Sequence, residues 1–475
     1  MTTVNREATP FWFWLVPVLI GVGYAVYQHS NNGSGSYSRK YWWGWGVAVI
    51  SLIAMVWMLS VAEYTRLNAY YNNSVEVVQD SEAQSYLNRS PFEVATTTSN
   101  ANLQNVNGSA TQVKSLSEES DHGVWNVLVV ARGLWVGYET LQAMDLPLYG
   151  TPSNSDVSFC DFNPNMQLRH GGSLPHNNLS RAIYGQVPLN VDWDSSDVYG
   201  YCDDNGDPIV VTPLKQIDGF FFPTWRYYGV ALLNGATGDI TVLTDPDDIN
   251  EVPGPVYPLS LASTQRVSVS ATGGYWDYVF GSQGYETATA YNSEVNLRAL
   301  DDESYYVTTM SPRGSSTSIV AVTETPNSFI NLNDKQMNPL VLNVLPQDRI
   351  RSANSTLEND IRTAYSYMPE FTNEEASLIL EITSGQDGNW VASIGRIQSV
   401  NYRAYITVDG SETKIELVDA RGNVIAQNGS TGTEVDQNDS TLVPVPGADL
   451  SGLTVEELKA INDAVIEELA NRANN

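Results

Sequence analysis

The chain has 475 residues, which is long enough for two or three compact domains. Acidic residues outnumber basic ones by 54 to 24, and the net charge of -30 argues against nucleic acid as a partner because the protein would repel phosphate backbones. Hydrophobic residues make up 42% of the chain and charged residues only 16%, so the surface is polar mainly through amides and hydroxyls.

Two apolar segments follow a short N-terminal tail, residues 1–10. Residues 11–27 carry no charge and would span about 25 Å as a helix, and residues 41–62 would span about 33 Å. Soluble core helices of this length rarely lack every charge, and no small-residue cleavage site of a signal peptide follows the first segment. We therefore predict two transmembrane helices, joined by a short loop at residues 28–40.

Tryptophans cluster near the ends of these segments. An indole ring can keep its apolar body in the acyl boundary and its N–H in the headgroup layer. Arg39 and Lys40 favour a cytoplasmic position for the loop between the two helices, which would place the rest of the chain outside the cytoplasm. Arg6 and Arg66, on the other side of the membrane, nearly balance them. The predicted membrane anchors are Trp12, Trp14, Trp42, Trp43 and Trp45.

Small residues in both segments indicate close packing of the two helices. Gly21 and Ala25 lie four positions apart in the first segment, and Gly44 and Gly46 open the second. Such spacing allows two helix backbones to approach closely, either within one hairpin or between subunits.

The soluble portion begins with a polar stretch, and residues 63–123 predict a stalk or linker. From Trp125 onward, short apolar runs alternate with turn residues, which predicts a β-rich ectodomain over residues 124–350. Hairpins are indicated at 207–216, 228–244 and 304–323, and short helices at 258–266 and 274–281.

The C-terminal part predicts further units. Residues 351–430 indicate a smaller α+β domain, with a capping box at Ser355 and Glu358 and a tight turn at Asp409-Gly410. A Pro/Gly spacer at 431–452 leads to an amphipathic helix at 453–473, which would either dock on another chain or pack on its own domain. The predicted fold is thus a membrane-anchored α+β protein: two N-terminal transmembrane helices, a mainly antiparallel-β ectodomain with a few short helices, and a C-terminal amphipathic helix.

The chain has two cysteines, Cys160 and Cys202, both in the soluble portion. A disulfide between them would persist outside the cytoplasm. Together with His170 and His176 they could instead form a zinc site, although structural zinc ligands usually come in close pairs. We favour the disulfide.

Six aspartates within a short stretch are candidate calcium ligands, because calcium prefers carboxylate oxygens. The stretch does not match an EF-hand loop, and Asp and Asn side chains also make turns by themselves, which is the interpretation we favour. The candidates are Asp192, Asp194, Asp197, Asp203, Asp204 and Asp207.

No nucleophile elbow, phosphate-binding loop or HExxH motif occurs in the sequence. Over less than a tenth of the chain, the 229–243 hairpin resembles the strand, TG-turn, strand signature of PepSY-type extracytoplasmic modules.

Two functions fit these patterns. The first is an integral membrane protein whose extracytoplasmic portion has a binding or structural role, with the bilayer and another protein, or a second copy, as partners. The second is a calcium- or zinc-dependent enzyme at the cell surface. A chelator should inactivate the enzyme, whereas a reductant should affect the disulfide-bonded binding module.

Overall fold

The computed structural model describes residues 9–31, 39–103, 108–110, 114–116, 123–133, 135–219, 223–288, 294–299, 303–314, 318–368, 371, 378–386, 388–410 and 412–429. Within these ranges the chain is a mixed α+β protein with mostly antiparallel sheets, as expected. The predicted spacer (431–452) and C-terminal helix (453–473) lie outside them. The helices are α1 (Thr9–Asn31), α2 (Arg39–Ser74), α3 (Phe92–Ala101), α4 (Leu179–Tyr184), α5 (Pro246–Ile249), α6 (Leu259–Ser268), α7 (Tyr275–Phe280) and α8 (Asn354–Ala364).

The strands of the first half form two five-stranded sheets. Sheet 1 has the order β2-β4-β5-β6, with β3 also paired to β4, and sheet 2 has the order β11-β10-β9-β7, with β8 also paired to β9. Sheet 1 contains β2 (Gly108–Ala110), β3 (Lys114–Leu116), β4 (Val124–Ala131), β5 (Tyr138–Met144) and β6 (Val157–Asp161). Sheet 2 contains β7 (Val191–Asp192), β8 (Tyr199–Cys202), β9 (Pro208–Asp218), β10 (Thr224–Asn234) and β11 (Ile240–Leu243).

The second half adds sheets 3 and 4 and one strand pair. Sheet 3 has the order β1-β17-β16-β14-β12, with β13 also paired to β14, and sheet 4 is a meander from β19 to β23. Sheet 3 contains β1 (Val75–Gln79), β12 (Tyr285–Thr287), β13 (Glu294–Arg298), β14 (Ser304–Pro312), β16 (Ala321–Pro326) and β17 (Leu340–Val344). The pair is β15 (Ser318–Ile319) with β18 (Arg351–Ser352), and sheet 4 contains β19 (Leu378–Ser384), β20 (Trp390–Arg396), β21 (Ser399–Asp409), β22 (Glu412–Asp419) and β23 (Val424–Gly429).

Two of the three predicted hairpins are present, at 228–244 and 304–323, whereas residues 208–216 lie in the single strand β9. β10 and β11 pair in antiparallel register, and the Asn234 carboxamide oxygen accepts the backbone N–H of Ala236 at 2.9 Å in the turn between them. β21 and β22 turn at Gly410, whose positive φ of 61° suits a residue without Cβ. The short helices α6 and α7 also lie where the sequence placed them.

The predicted capping box at Ser355 is wrong. Helix α8 begins at Asn354 with Ala353 as N-cap, so the helix starts before Ser355 can cap it. The Asn354 side-chain oxygen instead accepts a hydrogen bond of 2.9 Å from Arg351, which fixes the chain at the helix entrance.

The predicted stalk at 63–123 differs from the structure over the residues described there. Helix α2 does not stop at residue 62 but continues to Ser74, where β1 follows directly and pairs in parallel with β17 of sheet 3. Further on, α3 buries Val94 and Ala95 beside Trp125 of sheet 1. The polar composition concealed these contacts because only a few apolar side chains, widely spaced in the sequence, make them.

Sheets 3 and 4 are joined by one hydrophobic core. Val307 and Val322 of sheet 3, Ala392 and Ile406 of sheet 4, and Leu357 of α8 all belong to it. The expected smaller unit, residues 351–430, therefore packs on the preceding β-rich part through buried apolar surface.

Candidate functional site

The helical hairpin of α1 and α2 carries the largest group of exposed apolar side chains in the described chain. Ile50, for example, is 69% exposed. Contiguous apolar surface of this kind is rare on soluble proteins and marks a membrane or protein contact. The exposed side chains include Val16, Leu19, Ile20, Val26, Val47, Val49, Leu52, Ile53, Val56 and Trp57.

Among the described residues, one helix is long and apolar enough to cross a membrane, and it is the segment of α2 from Trp42 to Ser74, with a mean hydropathy of 2.2 in its most apolar window. The predicted first span, residues 11–27 in α1, is not confirmed by this criterion. Trp42, Trp43 and Trp45 are exposed at the start of α2. Trp12 and Trp14 lie in α1, and their side chains are outside the described set.

The two helices approach each other through small residues, as the sequence indicated. A Cβ atom added at Gly21 would lie 2.8 Å from the backbone nitrogen of Ala48, and one added at Gly44 would lie 2.9 Å from that of Ala25. Ala25 and Ala48 are themselves buried in the seam. By contrast, Gly46 has open space around it, so it takes no part in the contact.

The second half of α2 is built into the β-rich portion. Tyr70 is fully buried in a core that includes Tyr227 of β10 and Leu261 of α6, and its hydroxyl accepts the backbone N–H of Trp225. Leu67, one turn earlier, is buried as well. The helix therefore enters the protein core instead of ending at its surface.

A cluster of three tyrosines joins α2 to α7 just before this entry. Tyr64 contacts Tyr275 and Tyr278 of α7, with ring centroids 5.6 and 5.7 Å apart. The hydroxyls of Ser60 and Tyr275 lie 3.3 Å apart. Tyrosine and leucine at positions 64, 67 and 70 share a helix face immediately after the apolar run, and this pattern is the sequence signal for the tyrosine cluster.

Cys160 and Cys202 lie at disulfide distance, with their Cα atoms 6.2 Å apart. Cys160 belongs to β6 of sheet 1 and Cys202 to β8 of sheet 2, so the bond ties two sheets together. Buried side chains from both sheets, including Leu141 and Val210, pack around Cys160. The predicted disulfide is thus consistent with the structure.

The histidines of the alternative zinc set have other surroundings. The His170 Nε2 and Nδ1 atoms lie 2.8 Å from the Thr212 hydroxyl and 3.2 Å from the Ser180 hydroxyl, and its ring packs on Trp193 with centroids 4.1 Å apart. Burial lowers the pKa of His170 to about 3, so it is neutral at physiological pH. His176 is exposed and stacks on Trp135.

The acidic stretch makes turns and local contacts. Asp194 and Asp203 accept backbone N–H groups two residues further on, and Asp192 accepts from the Tyr184 hydroxyl. Asp197 is buried and accepts both the backbone N–H and the hydroxyl of Ser260, at 2.8 and 2.6 Å.

Burial raises the pKa of Asp197, whereas the two Ser260 hydrogen bonds act to lower it. Asp204 is exposed and Asp207 partly so. In the described part of the chain, no group of three or more His, Cys, Asp or Glu side chains is placed to hold a metal ion.

A buried ionic cluster, not indicated by the sequence, joins sheets 1 and 4. The Arg89 guanidinium lies 2.7 Å from the Glu381 carboxylate and 4.5 Å above the Trp125 ring. Arg403 donates to the backbone carbonyl of Arg89 at 2.8 Å. Because breaking a buried pair leaves an uncompensated charge, separating the two sheets at this cluster would be costly.

Comparison with known proteins yields no relative: no family model, no curated protein and no solved structure matches this chain.

Proposed function

We propose that the chain is an integral membrane protein in which α1 and α2 form a hairpin in the bilayer and carry an extracytoplasmic β-rich portion with a binding or structural role in an assembly. The observation that carries this proposal is the composition of α2 along its length. Its first part is apolar and exposed, whereas its last turns are buried in the protein core at Leu67 and Tyr70. A helix of 36 residues, about 54 Å long, has room for both tasks.

Two features support an extracytoplasmic position for the β-rich portion. Cys160 and Cys202 lie at disulfide distance, and such bonds persist in oxidising compartments. Arg39 and Lys40, at the start of α2, favour a cytoplasmic position for the turn between the helices.

A binding or structural role is supported by the way the β-rich portion is held and by its surface. The helix leads into sheet 3 without a linker, so the ectodomain keeps a defined orientation to the membrane, as a component of an ordered assembly must. Large apolar side chains are also exposed far along the chain from α1 and α2, among them Trp135, which is 61% exposed, and Tyr367. Exposed aromatic and aliphatic side chains of this size are typical anchors of protein interfaces. No observation among the described residues favours the metal-dependent enzyme.

Thiol accessibility tests the proposal. Intact cells expressing the chain are treated with a membrane-impermeant maleimide, before and after a mild impermeant reductant. We expect labelling only after reduction. A Cys160→Ser variant, which leaves Cys202 without its partner, serves as the matched control and should be labelled in intact cells without reductant.

Labelling of the parent chain only after permeabilisation, with no reductant required, would place the thiols in the cytoplasm and overturn the proposed topology. Release of the protein from membranes at alkaline pH would contradict the membrane anchor itself.

A further inference from the structure

Helix α7 has two different faces. Tyr275 and Tyr278 contact Tyr64 of α2. Trp276 and Phe280, four positions apart on another face, are 68% and 79% exposed and stack with centroids 6.0 Å apart. A six-residue helix therefore leaves its largest apolar side chains outside the core.

The position of α7 along α2 suggests what covers this face. The Tyr275 hydroxyl lies 3.3 Å from that of Ser60, which belongs to the apolar run of α2. One turn later, Glu63 and Arg66 form an ion pair of 2.9 Å. Helix α7 thus lies where α2 changes from an apolar to a charged surface, which is the level of the headgroup layer if α2 spans the bilayer.

The polar groups of α7 are held by the protein. The Asp277 carboxylate accepts the backbone N–H of Gln283 at 3.0 Å and fills the space beside Gly281 that a Cβ atom would occupy. Arg313 donates to the backbone carbonyls of Asp277 and Tyr278 and covers the Tyr278 ring at 5.0 Å. These contacts secure the C-terminal carbonyls of the helix and leave the aromatic face free of competing polar groups.

We infer that the face formed by Trp276, Val279 and Phe280 rests in the boundary between headgroups and acyl chains and gives the ectodomain a second contact with the membrane beside α2. This inference rests on the proposed membrane anchor. Indole and phenyl rings prefer this boundary, and short apolar faces of surface helices are buried there. A helical hairpin can tilt in the bilayer, whereas a second contact beside it restricts the tilt of the attached ectodomain.

Site-directed spin labelling of the full chain in phosphatidylcholine nanodiscs tests the inference. A nitroxide is attached, one position at a time, to Ile53→Cys in the apolar part of α2, to Phe280→Cys, and to Leu189→Cys as the aqueous control, with the native cysteines kept oxidised. Collisions with oxygen, which concentrates in lipid, and with a water-soluble nickel chelate are measured at each position.

We expect the label at 280 to lose nickel accessibility and gain oxygen accessibility relative to the label at 189, and the label at 53 to show the lipid pattern more strongly. If 53 shows the lipid pattern while 280 matches 189, the inference about α7 fails and the anchor stands. If 53 is also aqueous, the anchor fails. A label at 280 that is shielded from both reagents indicates a protein partner on this face and likewise overturns the lipid contact.

Discussion

His170 shows how far the surroundings of one residue determine its chemistry. Both ring nitrogens lie near hydroxyls, those of Ser180 and Thr212, and Trp193 packs against the ring. Burial lowers the pKa of His170 to about 3. Between that pH and the usual histidine pKa of about 6.5, the folded protein keeps the ring neutral whereas an unfolded chain would protonate it.

This shift predicts an acid sensitivity that one substitution removes. Because the pKa of His170 is lower in the folded state, its contribution to stability is complete above pH 6.5 and is lost as the pH falls toward 3. The free energy of unfolding falls by about 1.36 kcal/mol for each pH unit below the unfolded pKa near 6.5, so the loss at pH 4.5 is about 3 kcal/mol. The measurement is the urea midpoint in detergent at pH 7 and pH 4.5, for the parent and for His170→Gln, whose amide can still bond both hydroxyls.

We expect a smaller fall of the midpoint between the two pH values in His170→Gln than in the parent. His176→Gln, at an exposed position, is the control and should keep the parental pH dependence. An equal fall in all three proteins would show that His170 is not buried in its neutral form.

At the scale of single residues, the sequence predicts the features that depend on residue type and on near neighbours in the chain. A chain with two cysteines allows one pairing, and closely spaced Asp and Asn side chains make turns. The environment of His170 was not predictable, because Thr212 lies 42 positions away and reaches it only through the folding of sheet 2.

At the scale of elements, the seam between α1 and α2 depends on two glycines. The space beside Gly21 is occupied by the backbone of Ala48, which cannot move aside as a side chain can, whereas Gly23 has nothing within 4 Å of an added Cβ atom.

Gly21→Ala should therefore weaken the hairpin, and Gly23→Ala, which adds the same methyl group to the same helix, should not. The measurement is thermal denaturation in mild detergent, with the fraction of protein that remains monodisperse as the readout. Gly44→Ala and Gly46→Ala form a second pair with the same expected contrast. An equal effect of both members of a pair would argue that the helices do not pack as described.

Elements with local signals were predicted well, and their ends less so. Turn residues located the hairpins of sheets 2 and 4, since those pairings join neighbouring strands. The end of α2 was placed at 62 because apolar composition stops there, yet the helix continues where Leu67 and Tyr70 find partners in the core. The parallel pairing of β1 with β17 joins residues more than 250 positions apart, and no local pattern indicates it.

At the scale of the whole molecule, the cysteine pair links sheets 1 and 2. Closing a loop with a sequence separation of 42 removes entropy from the unfolded chain equivalent to about 4 kcal/mol at 25 °C on the chain-entropy model. Cys160→Ser combined with Cys202→Ser should lower the stability of the β-rich portion by about 2–4 kcal/mol. Urea unfolding followed by far-UV circular dichroism measures it.

Reduction of the parent chain should reproduce the effect of the double substitution and should leave the double variant unchanged. A reductant that destabilises both proteins equally would refute the assignment of the effect to this bond.

The uninterrupted course of α2 has a geometric consequence. Helix α1 touches α2 near Ala48, and the β-rich portion touches it from Ser60 onward. The number of residues between these two contacts therefore sets the angle, around the axis of α2, between α1 and the β-rich portion. Each added residue changes this angle by about 100° and lengthens the helix by about 1.5 Å, while seven added residues nearly restore the original angle.

One leucine inserted after Leu52 should therefore rotate the β-rich portion about the axis of α2, relative to α1, and seven should return it almost to its starting angle. The distance between spin labels at Val26→Cys and Leu189→Cys, measured for each insertion, reports this rotation together with the axial shift of about 1.5 Å per added residue. If the β-rich portion functions in an ordered array, the length of α2 specifies which side of that portion each molecule presents to its neighbour.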